Sequence, residues 1–349
     1  MSQAPENTGT ELDTAALADW MRQLGLINRA TLTARALTGG QSNPTFLLTS
    51  DAGQFVLRKK PPGPLLPSAH AVDREYRVMK ALQGSNVPVP KVYVYSDDNA
   101  VVGTPFFLME YLDGRVMVDQ SLPGITPAAR TEIYWEMNRI MAALHKVDAE
   151  SVGLSDFGRA GNYFGRQIAR WSRQYQETRT EEIPSLDALI EWLPHNIPQD
   201  DLTTIVHGDY RLDNLVFHPT APRALGLLDW ELSTLGHPLA DFAYHCMSWH
   251  IPATLWRGIA GLDLKALGIP SEQEYVARYS QATGFSGLEH WDFYIAYNLF
   301  RMAAILQGIA RRAVDGTAAS ADALETGSKA RPLADIGWKY AQRYRASKG

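Results

Sequence analysis

The stretch Ile205-Val-His-Gly-Asp-Tyr-Arg-Leu-Asp-Asn-Leu-Val-Phe217, resumed at Leu225-Gly-Leu-Leu-Asp-Trp-Glu231, decides the reading of this chain. Two apolar runs, Leu215-Val216-Phe217 and Leu225 to Leu228, flank His218-Pro-Thr-Ala-Pro-Arg223. Strand, turn formers and strand again read as a β-hairpin. Around it stand three oxygen-bearing side chains at fixed offsets: Asp209, Asn214 and Asp229. Taken singly, each could serve only to cap a turn. As an ordered set they suit phosphoryl transfer, in which one Asp takes the proton of the attacking hydroxyl while an Asn and a second Asp hold Mg²⁺. Mg²⁺ accepts few hard oxygen ligands and keeps several waters, so one amide and one carboxylate suffice.

The spacing of His207-Gly208-Asp209, Asn214 and the strand that ends in Asp229 resembles the aminoglycoside-phosphotransferase and choline-kinase branch of the protein-kinase-like fold. Protein kinases carry His-Arg-Asp and Asp-Phe-Gly at these places; the Gly208 and Trp230-Glu231 found here point to a small-molecule kinase. The run Leu57 to His70 and the helix Val72-Asp-Arg-Glu-Tyr-Arg-Val-Met79 look closest to phosphotransferase domains that occur alone in bacteria or fused to acyl-CoA dehydrogenases. The resemblance covers about residues 30 to 310. It implies an α+β, bilobal protein-kinase-like fold with an N-terminal five-stranded antiparallel sheet plus a helix, and a mostly α-helical C-terminal lobe carrying the catalytic β-hairpin. It also implies ATP and Mg²⁺ as cofactors and a small-molecule hydroxyl as acceptor. The expected divisions are a tail and helix over 1–29, a nucleotide-binding lobe over 30–112, and the helical lobe with catalytic loop and substrate site over 113–349.

Bulk properties fit this and exclude other classes. A chain of 349 residues is long enough for two lobes, each with its own core. A formal net charge of -5 gives no general attraction to nucleic acid or to an anionic membrane. The single cysteine, Cys246, lies in the apolar helical run Phe242 to Met247, where a buried thiol is expected. One cysteine rules out an intrachain disulfide and fits a reducing, cytoplasmic location. Met1 to Thr10 has neither a basic region nor an apolar core, so it reads as a tail and not a signal peptide. No apolar stretch reaches the roughly 18 residues of a membrane span.

In the first lobe, Asp13 to Leu26 has helical periodicity with Asp13 or Thr14 as cap. Ala34 to Thr49 places Gly39-Gly40-Gln-Ser42-Asn43 between strand-like runs. Glycine lets main-chain N–H groups approach phosphate oxygens, although the same residues also make an ordinary turn. The segment resembles the nucleotide-positioning loop of the family. Gln54 to Lys60 is a strand whose alternation puts Val56, Arg58 and Lys60 on one face and Lys59 on the other. Kinases place a phosphate-gripping Lys here, a role that falls on Arg58 or Lys60. His70 to Leu82 is a helix in which Glu75 resembles the glutamate that pairs with that cation; an exposed glutamate is the plain alternative. Val87 to Tyr93 and Phe106 to Leu112 are further strands, with Met109 packed behind the hinge. Main-chain groups of Glu110, Tyr111 and Leu112 match the kinase hinge that binds adenine.

The second lobe shows helical patterns over Pro127 to Val147, Asn162 to Thr178, Leu186 to Leu193, from Pro238 onward, Ser271 to Thr283, Gly287 to Ala313 and Arg331 to Arg345. Residues 313–328, rich in Ala, Gly, Ser and Thr, read as mobile. By the resemblance, Asp241 and His207 brace the catalytic loop. Acceptor candidates are Tyr244, His245, Trp249, Tyr297, Arg301 and Gln307, each of which core packing would also explain. Arg301 and the basic helix from Arg166 to Arg173 suit a negatively charged acceptor such as a hydroxyacyl-CoA or a hydroxy acid. Three rival readings stay open: an aminoglycoside O-phosphotransferase, a silent pseudokinase or nucleotide-binding scaffold, and a metal-dependent hydrolase. Oligomeric state is not written in the sequence.

Overall fold

The structure, a computed structural model, describes residues 12–37, 43–63, 70–200, 202–318 and 321–348. It forms two compact units, Met1–Gly114 with Leu225–Glu231, and Arg115–Ala224 with Leu232–Gly349. The fold is mixed α+β, a five-stranded antiparallel sheet in the first unit and mostly helices in the second.

The first unit contains α1 (Thr14–Gln23), β1 (Thr33–Ala36), β2 (Thr45–Ser50), β3 (Gly53–Lys59), α2 (Val72–Leu82), β4 (Val92–Ser96), α3 (Asn99–Val102) and β5 (Phe106–Glu110). Its five-stranded sheet has the order β1-β2-β3-β5-β4, and each neighbouring pair is antiparallel. Alternation along β3 sorts the side chains. Phe55 and Leu57 join Phe46, Leu48, Phe106 and Leu108 in a core covered by Leu17 and Met21 of α1. Burying each of these side chains contributes about 1.5–3 kcal/mol. Trp20 meets Phe106 edge-on at 5.2 Å. Asp13 starts α1 by accepting the N–H groups of Ala15 and Ala16. On the other face α2 buries Val72, Val78, Met79 and Leu82, and also Glu75.

Two boundaries differ from the expectation. His70 has φ +59, so α2 begins only at Val72. The strand expected over Val87 to Tyr93 forms over Val92–Ser96 instead, because Pro88 and Pro90 lack the N–H that a ladder needs.

The second unit contains β6 (Arg115–Val116), α4 (Pro127–His145), α5 (Tyr163–Thr178), α6 (Pro184–Trp192), β7 (Thr204–Val206) and β8 (Leu215–Phe217). The chain then continues through β9 (Ala224–Leu227), β10 (Thr234–Gly236), α7 (Pro238–Cys246), α8 (Leu264–Leu267), α9 (Glu272–Thr283), α10 (Trp291–Val314), α11 (Ala323–Ser328) and α12 (Ala330–Lys348). The turn between β8 and β9 is closed by the His218 N–H donating to Arg223 O at 2.8 Å. β8 also pairs antiparallel with β6, and β10 with β7. Thr126 caps α4, with Pro127 in its first turn. Ser271 and Glu274 form a capping box on α9.

Within the segment read as mobile, α10 ends at Val314 and α11 spans Ala323–Ser328, burying Ala323 and Gly327. A Cβ on Gly327 would stand 2.5 Å from Ala310 Cβ, so small side chains are what allow this close approach. No helix among the described residues is long and apolar enough to cross a membrane.

Candidate active site

In the first unit the candidate residues converge on Arg58. It leaves β3 on the face opposite the α1 core, and its Nε lies 2.8 Å from Glu75 Oε2 on α2. Its Nη2 lies 3.0 Å from Asp229 Oδ1 and 3.9 Å from Glu231 Oε2. Burial works against the guanidinium charge, but Glu75, Asp229 and Glu231 together raise the Arg58 pKa. Glu75 is 2% exposed. Burial, helped by the Asp229 and Glu231 charges and opposed by Arg58, pushes its carboxyl up to about 7.

A second chain of bonds runs behind this pair. The Asn43 amide Nδ2 donates to Glu75 Oε1 at 2.8 Å, and its Oδ1 lies 3.1 Å from His70 Nδ1. Asn43 is fully buried, so its side chain fixes the far oxygen of Glu75 while the near oxygen faces Arg58. Asn43→Ala should therefore lower unfolding free energy by about 1–3 kcal/mol, the usual cost of stranding a buried acceptor. Denaturant unfolding of the variant measures this directly.

Of the two candidate cations, Arg58 is the one that meets Glu75. Lys60 is half-buried beyond the end of β3, and its main-chain N–H goes to Pro105. Lys59 points to the opposite face and donates to Val102 O, as the alternation implies. At the expected hinge, the Glu110 N–H is already taken by Lys91 O at 2.8 Å, and its carboxylate accepts from Lys91 N. That takes up the Glu110 N–H, so Glu110 could offer adenine only its carbonyl, beside the main chain of Tyr111 and Leu112. Met109 is buried in β5. Gly39, Gly40 and Ser42 lie outside the described residues.

In the second unit the candidates converge on Asp209, which follows β7. Its Oδ1 accepts from the Tyr244 hydroxyl at 2.5 Å and lies 2.9 Å from Arg211 Nε. Asn214, in a short turn before β8, donates Nδ2 to Asp209 O at 2.8 Å and lies 3.3 Å from Asp209 Oδ2. Oδ1 is thus pinned by a phenol and a guanidinium, and Oδ2 is the oxygen that an incoming proton would reach. Burial first, and then the Asp209 charge, push the Tyr244 hydroxyl well above its usual pKa, so it remains a donor.

The loop backbone is braced from α7. Asp241 accepts the N–H groups of His207 at 2.7 Å and Gly208 at 2.9 Å, and its Oδ2 also lies 3.2 Å from His145 Nε2. The His207 ring in turn takes the Asp209 N–H on Nδ1 at 3.3 Å. Gly208 sits at φ +83, where a Cβ would stand 2.6 Å from Leu232 O, so only glycine fits this bend. Burial tends to raise the Asp241 pKa, but His145, His207 and the loop N–H outweigh it and hold the carboxyl below its ordinary range.

Because this folded-state pKa is depressed, its stabilisation is present above the unfolded value near 3.9 and is lost as pH falls below about 4. Asp241→Asn should cost about 3 kcal/mol at neutral pH, since its NH₂ would face an N–H donor. The variant should also lose this acid-linked part of the unfolding profile.

The remaining candidates divide. Arg301 of α10 is buried, donates Nη2 to Gly208 O at 2.7 Å and stacks over Tyr244 at 5.0 Å. It supports the catalytic loop instead of reaching for an acceptor. His245 is bonded to the Tyr275 hydroxyl, and burial pushes its pKa down to about 4. Trp249 donates to Pro270 O, Tyr297 packs 5.0 Å from Phe164, and Gln307 bonds Thr180, so these three serve the helical core. Of the basic helix, Arg166 is spent on the carbonyls of Gly161 and Arg159 and Arg170 lies over Trp171, while Arg173 is exposed. Arg211 and Glu231 were not among the candidates. Both stand inside the quoted motifs, and a cation two residues after a reactive carboxylate was a usable signal.

A sheet with a cation and glutamate pair, a helical unit with a braced His-Gly-Asp loop, and an Asn and a second Asp downstream define a kinase-like phosphotransferase acting on hydroxyl acceptors. The chain belongs to the phosphotransferase enzyme family, whose model matches residues 33–297. Mouse acyl-CoA dehydrogenase family member 10 is 46% identical over 306 residues, covering 87% of this chain and 29% of that protein, so this chain spans less than a third of that relative. A Ralstonia eutropha crystal structure, provisionally described as an aminoglycoside phosphotransferase, is 55% identical with TM-score 0.87, covering 95% of this chain and 99% of that one. The aminoglycoside phosphotransferase APH(4)-Ia, in a ternary complex with AMP-PNP and hygromycin B, shares the fold. It has TM-score 0.61 at 15% identity, over 93% of this chain and 98% of that one.

Proposed function

We propose that the chain transfers the γ-phosphate of ATP to the hydroxyl of a small molecule, with Mg²⁺ as cofactor. The observation that carries this is the fixing of Asp209: Tyr244 and Arg211 hold one oxygen, leaving the other to orient the hydroxyl and accept its proton. Use of ATP is supported by the AMP-PNP bound in APH(4)-Ia, together with the cationic Arg58 and its partner Glu75.

Asn214 and Asp229 fit Mg²⁺ by donor chemistry. Both Asn214 contacts to Asp209 use its NH₂, which leaves the hard amide oxygen as the ligand atom, and Asp229 adds a carboxylate. Mg²⁺ bound there would neutralise charge on the phosphates. Arg58 grips the phosphates, with Glu75 and Asn43 behind it, and Tyr111 and Leu112 hold adenine. Positioning and charge account for the catalysis, with no covalent step on the protein.

Hydroxyacyl-CoA or hydroxy acid acceptors come first, on the analogy of relatives named as acyl-CoA dehydrogenases. Among the described residues no group of three or more His, Cys, Asp or Glu could hold a metal, whereas the kinase reading asks only for one amide and one carboxylate. Incubation with ATP, Mg²⁺ and a panel of hydroxy acids, acyl-CoA esters, amino alcohols and aminoglycosides tests the proposal. Phosphorylated product is the expected result. ATP binding without transfer to any of them would indicate the pseudokinase reading.

A further inference from the structure

Next to the catalytic loop, within the second unit, lies a cavity of about 30 Å³ lined in part by Tyr244, Arg211, His245, Trp256 and Arg257. That is room for about two water-sized atoms, the size of a carboxylate head and not of a whole acceptor. Its charged lining is Arg211 and Arg257, and no Asp or Glu occurs among the described residues that line it. His245 adds no charge near neutral pH.

Arg257 stands out in its backbone and its partners. It adopts φ +49, a left-handed conformation that is uncommon for a non-glycine residue and persists only where the surroundings fix the backbone. Its guanidinium lies 5.4 Å from the Trp256 ring centre, and its Nη1 is 3.1 Å from Asp213 Oδ2. Asp213 Oδ2 is also 3.4 Å from Arg211 Nη1, and Arg211 holds Asp209. An alternating row, Arg257, Asp213, Arg211, Asp209, thus leads from the cavity to the reactive carboxylate. With Arg301 buried over Tyr244, the arginines of this cluster outnumber its two carboxylates, Asp209 and Asp213.

We infer that Arg257, with Arg211 beside it, binds a carboxylate of the acceptor, so that the acceptor is a hydroxy acid that presents its hydroxyl to Asp209. This rests on the reading of Asp209 as the proton acceptor. A planar guanidinium oriented by Asp213 and Trp256 still has donors for both oxygens of a carboxylate. A polycationic acceptor would meet like charge here, which sets the aminoglycoside reading aside.

Binding, read apart from turnover, tests this. Short hydroxy acids, their neutral amides and the matching amino alcohols are titrated calorimetrically into the wild type, Arg257→Gly and Arg257→Lys. Glycine accepts φ +49 without strain, which offsets part of the lost Asp213 and Trp256 contacts, and the melting point of each variant, read beside unchanged amide binding, separates a lost carboxylate contact from misfolding. The acids should bind the wild type best. Arg257→Gly should weaken the acids about 10- to 100-fold and leave the amides unchanged, with Arg257→Lys between them.

Acids that bind no better than amides, or a glycine variant that weakens all three classes alike, would overturn the inference. Acid binding that depends on Arg257 in a protein that transfers no phosphate would uphold it and remove the role given to Asp209.

Discussion

Asp209→Asn is expected to lower kcat by about 10²- to 10⁴-fold or more, the range in which a positioned base contributes, while nucleotide affinity stays unchanged. The substitution is chosen for what it keeps. An amide oxygen at Oδ1 still accepts from Tyr244 and faces Arg211, so the loop geometry survives. The other oxygen, which accepts from Asn214 Nδ2 at 3.3 Å, becomes an NH₂ that cannot take a proton and gives up that long contact, while Asn214 keeps its 2.8 Å bond to the Asp209 carbonyl. The loss therefore reports chiefly on proton acceptance. Single-turnover phosphate transfer beside nucleotide titration gives the measurement, and a variant that turns over at the wild-type rate would end the assignment of Asp209 as base.

The parts of this molecule that were legible in sequence are those governed by short-range periodicity. Alternation along Gln54 to Lys60 separated Arg58 from Lys59, and the structure puts the one against Glu75 and the other against Val102. It could not choose between Arg58 and Lys60, because both have the same parity and only the length of β3 decides. Helical periodicity found α10 but not the roles of its residues. From Phe293 to Ala304 every side chain of that helix is buried, so no polar face separates packing from function, and Tyr297 and Gln307 proved to be core.

Backbone conformation is the other blind spot. Asp229 at φ +84 and Arg257 at φ +49 break the expectation that left-handed turns carry glycine. Charge networks formed by residues far apart in sequence, such as Asn43 with Glu75 or Arg257 with Asp213, leave no trace in local pattern. Arg301 shows the opposite error: a cation in an apolar helix reads as a ligand site, yet its nearest need was a loop carbonyl.

Arg58→Met should have an effect that grows with pH. In the wild type, Glu75 has a folded pKa of about 7 against an ordinary value of 4.5. A carboxyl raised on folding favours the native state at low pH, and that contribution fades as pH climbs from the unfolded to the folded value. Burial is the main cause of the rise and Arg58 the main opponent, while Asp229 and Glu231 push the same way as burial. Without the guanidinium, Glu75 must titrate higher still, and the fading extends beyond pH 7. At pH 5 Glu75 is protonated in both proteins, and the variant loses packing and the contacts to Asp229 and Glu231, a deficit common to both pH values. At pH 8 Glu75 must either ionise without a partner or keep its proton against the solvent, and the deficit should exceed that at pH 5 by up to about 1.4 kcal/mol, since pH 8 lies one unit past the wild-type value. The same substitution removes the proposed grip on phosphate, so KM for ATP should rise about 10- to 100-fold. Arg58→Lys should recover the charge but not the fork that spans Glu75 and Asp229. Unfolding free energies at the two pH values decide the matter, because an equal deficit at pH 5 and pH 8 would mean that Glu75 does not feel Arg58.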